Sequence, residues 1–324
     1  MQDGYDIIGD VHGCGDELEQ LLVALGYSDD AGHFAHPNRQ VIFVGDLIDR
    51  GPAQVKAVGI ARSMVEAGAA LIVAANHEFN AIAYATPADD RPSGWLRNHD
   101  TKTDQHQTFL DQVGFGSAAY REMIAWFTTL PLWLDLDGLR VVHACWDAER
   151  IAWLASEWGP TPMGDETFMR RATDKANQTP EYVAIEHILK GPEIPIDPPY
   201  VDRTGTTRHE ARMNWWGATL DADGLGRLGD LAHLGGGVLD ADGTPYRGLA
   251  DPDQRVALPV AAYPGDKPVF FGHYWMSGQP VIERPTMACT DWSAVKGGRL
   301  AAYRWSGETE LSDDNWVSVD GLQR

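Results

Sequence analysis

The first 80 residues carry three blocks of apolar positions of strand type, separated by two blocks of helical period. Tyr5 to Gly9 forms a short apolar run ending in glycine, and Gln40 to Val44 and Ala70 to Ala74 form two more. From Asp16, the positions Leu18, Leu21, Leu22 and Leu25 fall at i, i+3, i+4 and i+7, the stripe of an amphipathic helix, and Gly26 ends it. A second helix is expected to begin at Pro52, to bury Val55, Val58, Ala61, Met64 and Val65, and to end at Gly68. Strand, helix, strand, helix, strand with short connections predicts a parallel sheet covered by helices. Further along, residues 85–118 read as a loop-rich insertion with one helix. Residues from Tyr120 read as helical up to Pro131, and Leu139 to Val142 as a strand. Pro268 to Phe271, Thr286 to Thr290 and Leu300 to Trp305 read as the closing strands.

Residues 150–262 break this rhythm. They are rich in glycine, proline and aspartate and carry Trp153, Trp158, Trp215 and Trp216. We expect one domain over residues 1–324, with a core at 5–149 and 263–306 and an insertion or cap at about 150–262. Gly224 to Gly229 has the letters of a dinucleotide-binding fingerprint. It lacks a convincing preceding strand, and a loop is the expected outcome.

The polar residues that follow the strands supply the chemistry. Asp10 and His12 follow the first strand, Asp46 to Arg50 the second, and Asn76, His77 and Glu78 the third. His143 and His273 end two later ones. Ligands of open α/β sheets bind beyond the carboxyl ends of the strands, so these clusters are expected to converge. Asp10, His12, Asp46, Asn76, His143 and His273 are carboxylate, imidazole and amide-oxygen donors. They suffice for two divalent cations sharing one carboxylate. An isolated aspartate or histidine after a strand is ordinarily a turn or cap residue; five strands ending in such donors are not explained that way.

Composition narrows the partners. The 324 residues carry 26 Lys+Arg against 47 Asp+Glu, a net charge of −21, which disfavours duplex nucleic acid and anionic membranes. No apolar run approaches the roughly 18–20 residues of a membrane span. The N-terminus shows no secretory signal, and three cysteines are too few for a disulfide framework, so a cytoplasmic location is expected. Oligomeric state is not legible.

Gly9-Asp10-Val11-His12-Gly13, Gly45-Asp46-Leu47-Ile48-Asp49-Arg50-Gly51 and Asn76-His77-Glu78 resemble the three signature blocks of the phosphoprotein-phosphatase-type metallophosphoesterases of the calcineurin-like superfamily. Val142-His143-Ala144 and Gly272-His273 resemble its two later histidine blocks. The stretch from Ala288 to Trp305 is similar to the closing strands of bacterial members related to polynucleotide kinase-phosphatases and symmetric diadenosine tetraphosphate hydrolases. The resemblance implies a four-layer α/β sandwich, two central sheets flanked by helices, with a large insertion. It implies Asp10 and His12 on a first metal, Asp46 bridging, and Asn76, His143 and His273 on a second. The metals would be manganese, or iron or zinc. Asp49 and His77 would form an acid pair, and Arg50 would hold phosphoryl oxygens. Asp291 would steady the site. Two positions depart from the family pattern: Ala75 stands where glycine is usual, and Tyr274 where threonine is common.

The resulting expectation is a hydrolase of phosphate esters working by in-line attack of a metal-bridging hydroxide, a phosphomonoesterase on small molecules or phosphoproteins. The alternative enzyme is a dinucleoside polyphosphate hydrolase or nucleotide phosphodiesterase. The alternative of another class is a non-catalytic metal- or nucleotide-binding module. Arg212 is the preferred second phosphate-binding arginine over Arg170 and Arg171. Trp215 and Trp216 are expected to pack rather than stack on a base, Cys14 and Cys145 to pack, and Glu78 to make a salt bridge or start a helix. His33, His36, His99 and His106 are expected at the surface.

Overall fold

The structure is a computed structural model that describes residues 4–202, 205–234 and 238–323. In chain order the elements are β1 (Gly4–Ile8), α1 (Gly15–Ala24), β2 (Arg39–Phe43), α2 (Gln54–Glu66), β3 (Ala70–Ile72), α3 (Asn76–Ala85), α4 (His99–Val113), α5 (Ala118–Phe127), β4 (Trp133–Asp135), β5 (Arg140–Val142), α6 (Ala148–Glu157), α7 (Glu166–Ala172) and α8 (Pro180–Lys190). There follow β6 (Glu193–Val201), β7 (Thr207–Met213), β8 (Leu225–Arg227), α9 (Leu228–Leu231), β9 (Ala232–His233), β10 (Arg255–Ala257), β11 (Val269–Phe271), β12 (Met287–Cys289), β13 (Asp291–Trp292), β14 (Arg299–Trp305) and β15 (Trp316–Asp320).

Two sheets carry the core. The first runs β13-β14-β1-β2-β3, with β15 also paired to β14; β1, β2 and β3 are parallel, and β14 is antiparallel to β1. The second runs β12-β11-β5-β4, with β11 parallel to both β12 and β5. Alternation along the strands explains the layering. Ile7, Ile42 and Val44 from the first sheet meet Val141, Phe270 and Ala288 from the second in one apolar cluster, and the Phe270 and Tyr303 rings lie 5.2 Å apart across it. The neighbouring positions Ile8, Val41 and Phe43 join the helix-side core with Leu18, Leu21, Leu22, Val58 and Met64. The expected arrangement of two central sheets with helices outside is what the chain forms.

Several local expectations change. The buried face of α2 is Gln54, Ala57, Val58, Ala61 and Met64, while Val55 is 47 % exposed. Gln54 takes the seam because its amide is committed: Oε1 accepts Asp49 N–H at 2.7 Å and Nε2 donates to Gly51 O at 2.7 Å. Residues 85–118 hold the one helix expected there, the fifteen-residue α4, but 150–190 hold three helices that the composition concealed. The Gly224–Gly229 stretch is not a loop throughout. Leu225–Arg227 pairs antiparallel with β10 and runs directly into α9, so no glycine loop separates strand from helix as dinucleotide binding requires. Trp215 and Trp216 are buried against Phe271, at 4.9 Å each between ring centroids. Cys14, Cys145 and Cys289 are buried free thiols. No helix among the described residues is long and apolar enough to cross a membrane.

One buried acid should show in the pH dependence of stability. Glu283 Oε2 accepts Cys289 N–H at 2.8 Å, while Oε1 is buried without a partner among the described residues. Burial pushes its pKa up to about 8 from an ordinary 4.5. The folded state therefore binds this proton more tightly than the unfolded chain. The stability conferred is complete below pH 4.5 and is lost as pH rises toward 8. Glu283→Gln should leave stability at pH 4.5 nearly unchanged and raise it at pH 8.5 by on the order of 2–3 kcal/mol. Urea melts of both proteins at the two pH values check this.

Candidate metal and phosphate site

The parallel strands of both sheets deliver their polar residues to one edge. Of the eight non-glycine residues with positive φ among the described residues, seven lie here: His12, Asp46, Asp49, Arg50, His273, Trp275 and Ser293. Left-handed backbone costs non-glycine residues energy and persists where neighbouring structure over-determines it. Glu78 supplies part of that constraint. Its fully buried carboxylate accepts the N–H groups of Leu47 (2.8 Å), Asp46 (3.1 Å) and Ala75 (3.1 Å), joining the end of β2 to the start of α3. The helix-start role expected of Glu78 is present, and among the described residues the acid makes no salt bridge. Burial, then the carboxylate of Asp46, push its pKa up to about 7. Ala75 is extended (φ −117°), so no glycine is required there. Gly272 is required for a different reason: a Cβ would collide with Asp10 Oδ1.

Asp46 sits at the centre. Its Oδ2 lies 3.4 Å from His12 Nε2 and 3.5 Å from His143 Nε2, and its Oδ1 accepts His77 N–H at 3.1 Å. Both rings are turned the same way. His12 Nδ1 is 3.0 Å from Ile48 O, and His143 Nδ1 is 2.9 Å from Val44 O. A carbonyl accepts only, so each Nδ1 carries the hydrogen and each Nε2 offers a lone pair to the centre. His143 Nε2 faces Asn76 Oδ1 at 3.0 Å, and His273 Nε2 is buried with no partner among the described residues. Asp10, 3 % exposed, accepts His273 N–H at 3.1 Å. Burial, then Asp291, then Asp46 raise the Asp10 pKa well above the usual carboxylate range. Burial would raise Asp46 too, but His77, His143 and His12 together hold it well below. Burial pushes His143 down, and Asp46 beside it lifts it above its ordinary value. Converging lone pairs, an orphaned imidazole nitrogen and crowded buried carboxylates are what a cation site requires.

The donors fall into two groups around Asp46. Asp46, His143 and His273 bring ligand atoms within 4.8 Å of one another; so do His12, Asp46 and His77. Asn76 and Asp10 border these groups through His143 and His273 respectively. His77 joins the second group through its ring, while its Nδ1 is hydrogen-bonded to Asp49 Oδ2. The Arg50 guanidinium contacts His12 Nε2 and lies 4.3 Å from the centre of the Trp275 ring, over which Lys296 Nζ also sits at 3.1 Å. Asp291 accepts Trp275 N–H at 2.7 Å and Ser293 N–H at 3.0 Å, so it holds this wall from behind.

Arg212 lies on β7 opposite Glu193. Burial, then the Arg212 guanidinium, push the His273 pKa well down, which places its charge within electrostatic reach of that ring. Arg170 pairs with Asp90 and Glu166, and Arg171 with Glu181, so neither faces the site. His106 corrects the expectation of a surface residue. It is 4 % exposed, and its Nδ1 lies 2.7 Å from Asp49 Oδ1. Polarity of the whole α4 segment hid it, although His106, Phe109 and Val113 form a stripe at i, i+3 and i+7. His99 likewise is not free at the surface, its ring stacked 3.7 Å from that of Tyr84. Trp275 and Lys296 were also not anticipated; no sequence signal marks them.

Bis(5'-nucleosyl)-tetraphosphatase PrpE [asymmetrical] of Oceanobacillus iheyensis is 48% identical over 73 residues, 22% of this chain and 29% of that protein. The Bacillus subtilis protein of the same name is 42% identical over 74 residues, 22% of this chain and 30% of that protein. The chain thus spans under a third of the length of the curated relatives it matches. A Saccharomyces cerevisiae protein serine/threonine phosphatase with similarity to human phosphatase PP5 aligns over 100% of this chain and 81% of its own, at 14% identity and a TM-score of 0.49. The family model described as Calcineurin-like phosphoesterase matches residues 5–146, the stretch that supplies Asp10, His12, Asp46, Asn76 and His143.

Proposed function

We propose that the protein hydrolyses phosphate esters of small molecules with two divalent cations, manganese first among them. Asp10 and His12 would hold one cation, Asn76, His143 and His273 the other, and Asp46 both. The observation that carries this is the placing of Asp46 Oδ2 between two Nε2 lone pairs, at 3.4 and 3.5 Å. Bound divalent cations would acidify a water molecule and neutralise charge on the phosphoryl oxygens. The chain's own groups do the rest. Arg50 offers a planar fork to phosphoryl oxygens and is oriented by the face of Trp275. Burial would push Asp49 up, but His77 and His106 pull it below the usual carboxylate range, so it stays ionised and orients the His77 ring. The ring's other nitrogen is then available to protonate the departing alkoxide.

Residues 150–262 act as the cap in this reading. A cavity of about 720 Å³ lies between β6–β7 and the 274–298 loops, lined by Glu193, Tyr200, Arg212, His233, Trp275 and Lys296 among others. That volume suits a ligand of nucleotide size rather than a folded phosphoprotein. Among the described residues Arg212 makes no side-chain hydrogen bond or salt bridge, although it lies opposite Glu193, whose pKa burial raises and the Arg212 guanidinium pulls back, so its donors remain for anionic substrate. Nucleotide polyphosphates form the second reading, favoured by the names of the PrpE relatives.

The test is hydrolysis of 4-nitrophenyl phosphate, a dinucleoside tetraphosphate and a phosphoserine peptide, each with and without added manganese. Metal-dependent turnover of either small molecule supports the reading; metal binding with no turnover of any substrate favours a binding module. Arg212→Ala should raise KM for the preferred small substrate about tenfold with a smaller change in kcat, measured by steady-state kinetics.

A further inference from the structure

Asp49 is gripped from both sides. Its Oδ2 meets His77 Nδ1, and its Oδ1 meets His106 Nδ1 at 2.7 Å. All three side chains are buried. The two histidines come from different elements, His77 from α3 and His106 from α4. An ionised carboxylate only accepts hydrogen bonds, so His106 Nδ1 carries the hydrogen. Its Nε2 is buried without a partner among the described residues, so the ring's polar commitment is to Asp49 alone. The ring is wedged against Tyr84 and Phe109, with centroids at 5.2 and 4.9 Å. Tyr84 is itself fixed, 2.8 Å from Thr103 Oγ1 through its hydroxyl.

We propose that His106 is a positioning residue for proton transfer: its Nδ1–H fixes the carboxylate rotamer of Asp49, which in turn aims the His77 ring at the leaving oxygen. The proposal rests on the assignment of His77 to leaving-group protonation. Removing the Nδ1 donor leaves Asp49 Oδ1 buried and unsatisfied, and the carboxylate then turns away from His77 to find another donor. The cost falls on the step that needs the proton.

The experiment compares phenyl phosphate, whose leaving group needs a proton, with 4-nitrophenyl phosphate, whose leaving group departs as a stable anion. His106→Asn places an amide donor where Nδ1 was, His106→Gln places one where Nε2 was, and His106→Leu removes both. With manganese bound, His106→Leu and His106→Gln should each lower kcat/KM on phenyl phosphate by about 10–100-fold and on 4-nitrophenyl phosphate several-fold less. His106→Asn should recover most of the phenyl phosphate rate. If His106→Leu does not fold, the Asn and Gln pair decides alone. Equal losses on both substrates, or equal behaviour of Asn and Gln, overturn the positioning role. Absence of metal-dependent turnover in the unmodified protein overturns instead the assignment on which it rests.

Discussion

Asp46→Asn should abolish metal-dependent phosphoesterase turnover, with a loss of at least about 10³-fold, while the fold survives. The asparagine has the shape of the aspartate, and its Oδ1 can still accept His77 N–H. Its amide group, however, would place hydrogens where Oδ2 now faces His12 Nε2 at 3.4 Å and His143 Nε2 at 3.5 Å. The His143 lone pair would then be met by the protein itself, as that of His12 already is by Arg50, and the position would carry no negative charge to draw two cations together. The backbone at this position (φ 50°) also favours asparagine as readily as aspartate. Two measurements separate lost metal from lost folding. Elemental analysis after dialysis should find the variant depleted of manganese relative to the unmodified protein. Added manganese should raise Tm of the unmodified protein and leave that of the variant unmoved, because only a ligand that binds the native state shifts its stability. Equal manganese content in the two proteins would remove Asp46 from the shared position.

How much of this was legible in the sequence depends on the range of the interaction. The parallel strands and their polar ends were legible because each is a local signal: an apolar run, then Asp10, Asp46, Asn76, His143 or His273. Convergence followed from the rule that such strands share one ligand-binding edge. What was missed is held by contacts across long sequence gaps. His106 reaches Asp49 over 57 residues; the stripe it forms with Phe109 and Val113 reports burial of that face but not that its helix is pinned over the site. Gln54 displaced Val55 from the core because a hydrogen bond to the Asp49 backbone outranked apolar periodicity. The helices of 150–190 were obscured by glycine, proline and aspartate that in fact mark caps. Asp147, Asp165 and Thr179 each accept a hydrogen bond from the first turn they precede, and Pro180 opens its helix. Lys296 and Trp275 belong to loops whose course only the folded chain defines.

The second large effect concerns His77, whose place admits two roles with different consequences. Its ring lies within ligand distance of His12 and Asp46, and it is also bonded to Asp49. A carboxylate behind a histidine serves equally to orient a metal ligand or a proton donor. His77→Asn separates them, because the amide keeps a donor toward Asp49 and deletes the nitrogen on the far side of the ring. As a proton donor, His77 is needed most when the leaving group is a poor anion. Phenyl phosphate kcat/KM should then fall about 10²–10⁴-fold, 4-nitrophenyl phosphate should fall far less, and manganese content should be retained. As a ligand, His77 would affect every substrate alike and its loss would strip metal. We expect the first pattern, because His12 and Asp46 already provide donors on that side, while no other histidine among the described residues both touches Asp49 and borders Asp46. Loss of metal together with parallel losses on the two esters would transfer His77 to the metal and leave the leaving group to be protonated by solvent.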